Sequence, residues 1–417
     1  MTPDPRARAA AIAREAVLSL DPRTLVRDAL PALPPPRARV TAIAIGKAAP
    51  AMMRGALDRW PGRIARAIVV TTDGTSADFD DAPLAVEVLR GAHPLPDARS
   101  VLAAETVLAA AAGGSSSDVC LALVSGGASS LASAPVGGVS SDELRALVAE
   151  MLAAGAPIAD VNVVRRHLSR IHGGGLARAA LPGRTLAMIL SDVLVDTPAG
   201  VVPGAPHDVG SGPAIADPTT VDQARAALTR WAPRHLVGVE PRWTTPLAST
   251  HPDARRARAR IVASPLDLAL AAASRATAAG HRVRTLGPSL DPIERLADEY
   301  VALAATLAPG DVCVRVAEPS VRLPVAPGRG GRAGRLALMT WCRGLPADVA
   351  LVCLASDGVD GSSGSAGGSV SGSAPSGATQ ALEAFDDGPF LAAHDASLSL
   401  GPTGRNLLDV HVLLRAR

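Results

Sequence analysis

The chain has 417 residues, 48% hydrophobic and 2% aromatic, with 41 basic and 39 acidic residues giving a net charge of +2; the length allows two or three domains, and balanced charge with few aromatics excludes a nucleic-acid footprint. The four cysteines (Cys120, Cys313, Cys342, Cys353) have no CxxC spacing and three lie in apolar runs, so they read as core thiols of a reducing compartment rather than a zinc site. No signal-type apolar segment and no run of 18 uncharged apolar residues occurs, which gives the expectation of a soluble, cytoplasmic protein with no membrane partner.

In chain order, the apolar periodicity predicts helices at 5–18 and 22–30, a strand at 40–45 (VTAIAI), a helix at 47–58, and strands at 66–71 and 85–89. A helix at 98–112 precedes the strand 119–124 (VCLALV); helices at 141–154 and 163–180 precede the strand 185–190 (TLAMIL). A helix at 219–232 follows, then a break in periodicity over 233–262. Beyond it the pattern predicts helices at 264–279, 289–307, 333–343 and 376–386, with strands at 282–286, 311–316, 321–325 and 349–354. This alternation argues for an α/β protein of two α/β domains, 1–235 and 236–417, the larger a Rossmann-like three-layer sandwich. The stretch 201–213 reads as a loop over a site, and the low-complexity tract 361–380 as an active-site loop.

The composition shows a bias toward Arg, Ala, Gly and Pro, and the rare residues stand out against it. Lys47 is the single lysine, and Asn162 and Asn406 are the only asparagines. In open parallel sheets, ligands bind beyond the carboxyl ends of strands. Four predicted strand ends carry unusual chemistry: Gly46-Lys47; Ser125-Gly126-Gly127-Ala128-Ser129-Ser130; Ser191-Asp192, with Asp196 nearby; and Ser356-Asp357-Gly358, with Asp360.

The glycines of SGGASS let backbone N–H groups converge on a phosphate or carboxylate, and no GK[ST] follows, so it is not a Walker A loop. Asp192 and Asp357 supply hard oxygens suited to Mg²⁺ bridging nucleotide phosphates. Lys47, a compact ammonium at a strand end, suits a phosphoryl oxygen. Arg165-Arg166-His167, and Arg329, Arg332 and Arg335 in GRGGRAGR, offer guanidinium forks for carboxylate or phosphate. GRGGRA also fits GxGxxA, but the acid 20 residues on, Asp348, precedes a predicted strand instead of ending one, which argues against a dinucleotide fingerprint.

The segments AIGKAA, GAHPLPDARS, LVSGGASSL, VNVVRRHLSRIHGGGLA, GSGPAIADPTT, GRGGR, SDGVDG and GPTGRNLLDV resemble, in this order, the glycerate 2-kinase family, whose C-terminal part is called MOFRL (here about 310–415) and which is sometimes labelled hydroxypyruvate reductase. The resemblance implies ATP-dependent phosphorylation of D-glycerate at the 2-hydroxyl, with Mg²⁺, in a cleft between two domains of a monomer or homodimer. It implies catalytic roles for Lys47, Asp192 and Arg332, a phosphate cradle at Ser125, Gly126, Gly127 and Ser129, and metal ligation by Asp192 and Asp357. Arg165, Arg166, His167 and Asn162 are the expected substrate-binding residues. The chain departs from the family pattern at Ala333-Gly334-Arg335, where the family has Asn-Gln-Glu, and at Ser362-Ser363-Gly364-Ser365, where an acid is missing. Those departures leave a diverged paralogue acting weakly on another small hydroxy acid, and an NAD(P)H-dependent hydroxypyruvate reductase, as the alternatives.

Overall fold

A computed structural model describes residues 4–32, 38–235 and 242–417. Its strands are β1 (Val40–Ile45), β2 (Ile64–Thr71), β3 (Val86–Arg90), β4 (Val119–Val124), β5 (Arg184–Leu190), β6 (Leu194–Thr197), β7 (Gly200–Pro203), β8 (Ala257–Ala263), β9 (Arg282–Thr285), β10 (Asp311–Ala317), β11 (Val349–Ala355), β12 (Gly367–Ser371), β13 (Ser397–Leu398) and β14 (Asp409–Arg415). The described residues form two compact units. One holds 22–191 and 204–262; the other holds 4–21, 192–203 and 263–417.

The first unit is built on a sheet of order β3-β2-β1-β4-β5-β8, in which β1 to β5 pair in parallel. The order reverses between β1 and β4, so the carboxyl ends of these two neighbours form the topological switch point. Both strands are continuous apolar runs because both faces are covered: all of β4 is buried, and in β1 only Thr41 is not. β8 joins this sheet beside β5. Residues 242–262 therefore pack with the first unit, beyond the expected boundary at 235/236, whose residue 236 lies outside the described residues.

The second unit has a mixed sheet of order β13-β12-β11-β14-β10-β9. β14 runs antiparallel to both β10 and β11, so the carboxyl ends of β10 and β11 lie at the same edge as the start of β14. The register sets Asp409, the first residue of β14, opposite both Ala317 and Ala355. The helix Arg332–Arg343 packs its buried face (Ala333, Leu336, Ala337, Thr340) into the core of this unit. The hairpin of β6 and β7 also belongs here.

Three expectations are corrected. The helix expected at 163–180 is two helices, Ile158–His167 and Gly175–Ala179, because Gly173 and Gly174 adopt φ of +56° and +78° and turn the chain between them. The run 321–325 (VRLPV) is not a strand. Pro324 has no N–H to give a ladder, and the run stands exposed, with Leu323 67% accessible. The tract 361–380 divides, its first residues remaining a loop while 367–371 forms β12. No helix among the described residues is long and apolar enough to cross a membrane.

Candidate active site

At the switch point the ends of β1 and β4 are laced together. The Lys47 N–H donates to the Gly126 carbonyl (3.0 Å), the Ser125 N–H to Ile45 (3.0 Å), and the Ala48 N–H to the Ser125 hydroxyl (3.1 Å). This approach explains Gly46, whose φ is +133° and whose hypothetical Cβ would stand 2.1 Å from the Ser125 Oγ. Lys47 thus leaves a rigid strand end directly beside the glycine-rich loop. Within that loop Ser125 and Gly126 are buried and spent on these ties, while Gly127 and Ser129 stay partly accessible. Ser129 reaches the Ser211 hydroxyl (3.1 Å), which faces the Asn162 amide oxygen at 3.5 Å. The stretch 204–213 therefore packs on the loop, with Gly210 against Ala128. The sequence reading left out His93, whose ring packs beside Gly127; its signal was the histidine of GAHPLPDARS.

The Arg165-Arg166-His167 triplet divides. Arg166 is buried and forms a 2.8 Å ion pair with buried Asp217, off the hydrogen-bond line. His167 is fully buried, its Nδ1 facing the Val163 carbonyl (2.9 Å). Both are thus built into the interior of the first unit, where Arg166 also donates to the His207 carbonyl (3.3 Å). Arg165 is partly accessible, and burial lowers its pKa below the usual guanidinium value. The neighbouring buried His172 is held neutral, its pKa pushed down to about 3 by burial and by Arg165.

In the second unit, the edge shared by β10, β11 and β14 opens into a cavity of ≈ 590 Å³. Asp357, Arg332 and Asn406 all line it, as do Asp360, Asp387 and Asp409. Arg332 begins its helix, donates to Glu318 (3.0 Å) and lies 3.7 Å from Asp409. Burial opposes its charge, but Asp409 and Glu318 outweigh that and raise its pKa. Asp360 accepts the Ala333 and Gly334 N–H groups (3.1 and 2.7 Å) and Asp387 accepts that of Gly331 (3.1 Å). The glycines of GRGGRAGR are needed here, since a Cβ at Gly330 or Gly331 would stand within 2.4 Å of one of these carboxylates. The helix N-terminus is thus already capped by protein carboxylates. Burial pushes Asp409 up to about 7, with Asp360 adding to the rise and Arg332 opposing it; burial likewise raises Asp360 to about 6.

Asp192, of the same unit, receives a 2.6 Å hydrogen bond from the Asn406 Nδ2 to one carboxylate oxygen. The loop carrying Asn406 is anchored to the end of β11: the Leu407 N–H donates to the Ser356 Oγ (2.7 Å) and the Thr403 N–H to the Asp357 carbonyl (3.0 Å). Two residues far apart in sequence, both conspicuous there, meet in this way. Asp409, Asp360, Asp387 and Glu318 had no assigned role in the sequence reading, although Asp360 was signalled by its place after β11 and Asp409 is the aspartate of GPTGRNLLDV. Among the described residues no group of three or more His, Cys, Asp or Glu is arranged to hold a metal ion by itself. A carboxylate in the cavity (Asp357) and another held by an amide (Asp192) are the donors that suit Mg²⁺, which takes one or two carboxylates and completes its shell with water and phosphate oxygens.

Comparison with known proteins agrees with this architecture. A family model described as Domain of unknown function (DUF4147) matches residues 8–239, and the MOFRL family model matches 305–409. An Agrobacterium vitis protein named as a hydroxypyruvate reductase is 34% identical over 96% of this chain and 92% of its own length. A D-glycerate 2-kinase of Thermotoga maritima is 32% identical over 55% of each chain. The crystal structure of glycerate kinase from Thermotoga maritima matches with a TM-score of 0.84 over 99% of both chains at 27% identity. Family models over both parts of the sequence, full-length likeness to a curated relative and a shared fold agree: the chain belongs to the glycerate 2-kinase family, with a MOFRL region in its C-terminal part.

Proposed function

We propose that this chain transfers the γ-phosphoryl group of ATP to the 2-hydroxyl of D-glycerate, giving 2-phosphoglycerate and ADP. The observation that carries the reading is the Asp192–Asn406 pair, because an amide that fixes one oxygen of a carboxylate holds the whole group in one orientation for its part in the chemistry. In this reading the 2-hydroxyl oxygen forms a bond to the γ-phosphorus as the β–γ bridging bond breaks, and Asp192 takes the hydroxyl proton. Lys47 neutralises charge on the transferring phosphoryl, and the partly accessible Gly127 and Ser129 offer donors to its oxygens. Arg332, itself kept charged by Glu318 and Asp409, faces the charge that develops on the transferring phosphoryl. Asp357 would hold Mg²⁺, with Asp192 its ligand only where it does not serve as the base, and the ion would neutralise phosphate charge.

The Thermotoga maritima relative's name supports the kinase reading, and the Agrobacterium vitis relative's name supports a reductase. GRGGRA, the one stretch resembling a dinucleotide fingerprint, follows an irregular segment, whereas that fingerprint requires a strand before its helix. The test is ADP release coupled to NADH consumption, with D-glycerate, ATP and Mg²⁺, run with and without EDTA. Turnover that EDTA abolishes and excess Mg²⁺ restores is expected. Oxidation of NADH by hydroxypyruvate without any ATP requirement would sink the proposal.

A further inference from the structure

The ≈ 590 Å³ cavity of the second unit is larger than a three-carbon acid can fill, and its lining combines two chemistries. Its polar part includes Asp357, Arg332 and Asn406. Its apolar wall includes Val321, Leu323, Val359 and Phe385. Leu323 and Val359 are 67% and 50% exposed, large apolar side chains left in water at the rim of a concavity. D-Glycerate carries four oxygens on three carbons and gives such a wall nothing to cover it.

The wall is also prevented from collapsing inward. Arg335 lies 3.5 Å from the Phe385 ring centroid and is tied to the Leu382 carbonyl (2.9 Å) and to Asp387 (3.4 Å), so the ring is clamped from one side. Phe385 itself has φ of +55°, a conformation kept only where the surroundings enforce it. Within the lining, Asp360 and Asp387 occupy the N–H groups at the helix start, so no phosphate docks there.

Resting on the kinase reading above, we infer that this cavity seats the nucleoside of the phosphoryl donor, its planar base against Val321, Leu323, Val359 and Phe385 and its polyphosphate toward Arg332 and Asp357. A purine is flat, apolar on its faces and of the size the cavity takes. The second unit thereby acquires the donor-binding role.

Leu323→Asp and Val359→Asp test this, because both positions are on the surface and neither substitution disturbs the core. ADP binding to wild type and both variants is measured by calorimetry, and KM for ATP and for D-glycerate by the coupled assay. The expected result is an at least tenfold weaker affinity for ADP and a matching rise in KM for ATP, with KM for D-glycerate within twofold of wild type and unchanged circular dichroism. A rise in KM for D-glycerate alone, or ADP affinity equal in all three proteins, overturns the inference. If the chain shows no turnover, so that the proposed reaction fails, the ADP titration still decides: binding lost in the variants upholds the nucleoside seat, and a wild type that does not bind ADP overturns it.

Discussion

Asp409→Asn probes the most unusual electrostatic feature of the molecule. Asp409 is 3% exposed, and its pKa is pushed up from 3.8 to about 7 by burial, with Asp360, Asp357 and Glu318 adding to the rise and Arg332 opposing it. Between those two values the folded chain holds a proton that the unfolded chain has released, so stability falls as pH rises through the interval and levels off above about 7. A shift of about three pKa units corresponds to about 4 kcal/mol. Asparagine keeps the shape and cannot ionise. The difference in unfolding free energy, wild type minus variant, should therefore shrink by about 3 kcal/mol between pH 4.5 and 8, since the interval begins at 3.8. At pH 4.5 the wild type should be equal or slightly ahead, and at pH 8 the variant should lead. Urea unfolding at pH 4.5, 6, 7 and 8, followed by the fluorescence of Trp341 in the adjacent helix, measures this. Asp360 contributes a slope of the same sign to both proteins and cancels to first order. Parallel curves, or a wild type that gains on the variant above pH 6, refute the burial argument.

Lys47→Ala should abolish turnover while circular dichroism stays native, and Lys47→Arg should fail nearly as badly because a fork replaces a point charge; near-wild-type kcat in Lys47→Arg would remove the lysine from the mechanism. Gly46→Ala should cost several kcal/mol in denaturant unfolding or prevent soluble expression, since the added Cβ meets the Ser125 Oγ at 2.1 Å in a left-handed backbone. Asp217→Ala leaves Arg166 buried and unpaired and should destabilise the chain by about 3–5 kcal/mol with little change in kcat for the surviving folded fraction. Asn406→Ala should lower kcat by about 10- to 100-fold with KM for D-glycerate less affected, and an unchanged kcat would show that Asp192 needs no such support.

Strands such as β1, β4 and β11 were readable because each is a continuous apolar run, which only a strand covered on both faces requires. β14 was not, because Asp409 and His411 interrupt its pattern. Both are buried, and the His411 Nδ1 is satisfied by the Tyr300 hydroxyl at 2.6 Å, from a helix more than a hundred residues earlier. The run VRLPV misled for the opposite reason, since its side chains form a cavity wall and its backbone pairs with nothing regular. Rarity singled out Asn406, but its partner Asp192 is 214 positions away, and no local pattern carries that pairing. The burial of Arg166 against Asp217 was not legible either, because nothing near Arg166 in sequence announces its partner.

The allocation of chain segments to the two units bears on how this sequence can be dissected. The backbone passes from one unit to the other after residues 21, 191, 203 and 262, so neither unit is a continuous stretch of sequence. Asp192 sits on one of these crossings: the residue before it belongs to one unit and its own amide-bonded partner, Asn406, to the other segment of its unit. A chimera that exchanges only residues 263–417 with a relative would part the two and rebuild the pair from different parents. Swaps that preserve it must carry 192–203 along with the C-terminal segment, and those that keep the whole unit must carry 4–21 as well, as three insertions into a foreign host. Recombination in such a chain is constrained less by the number of differences between parents than by where the cuts fall.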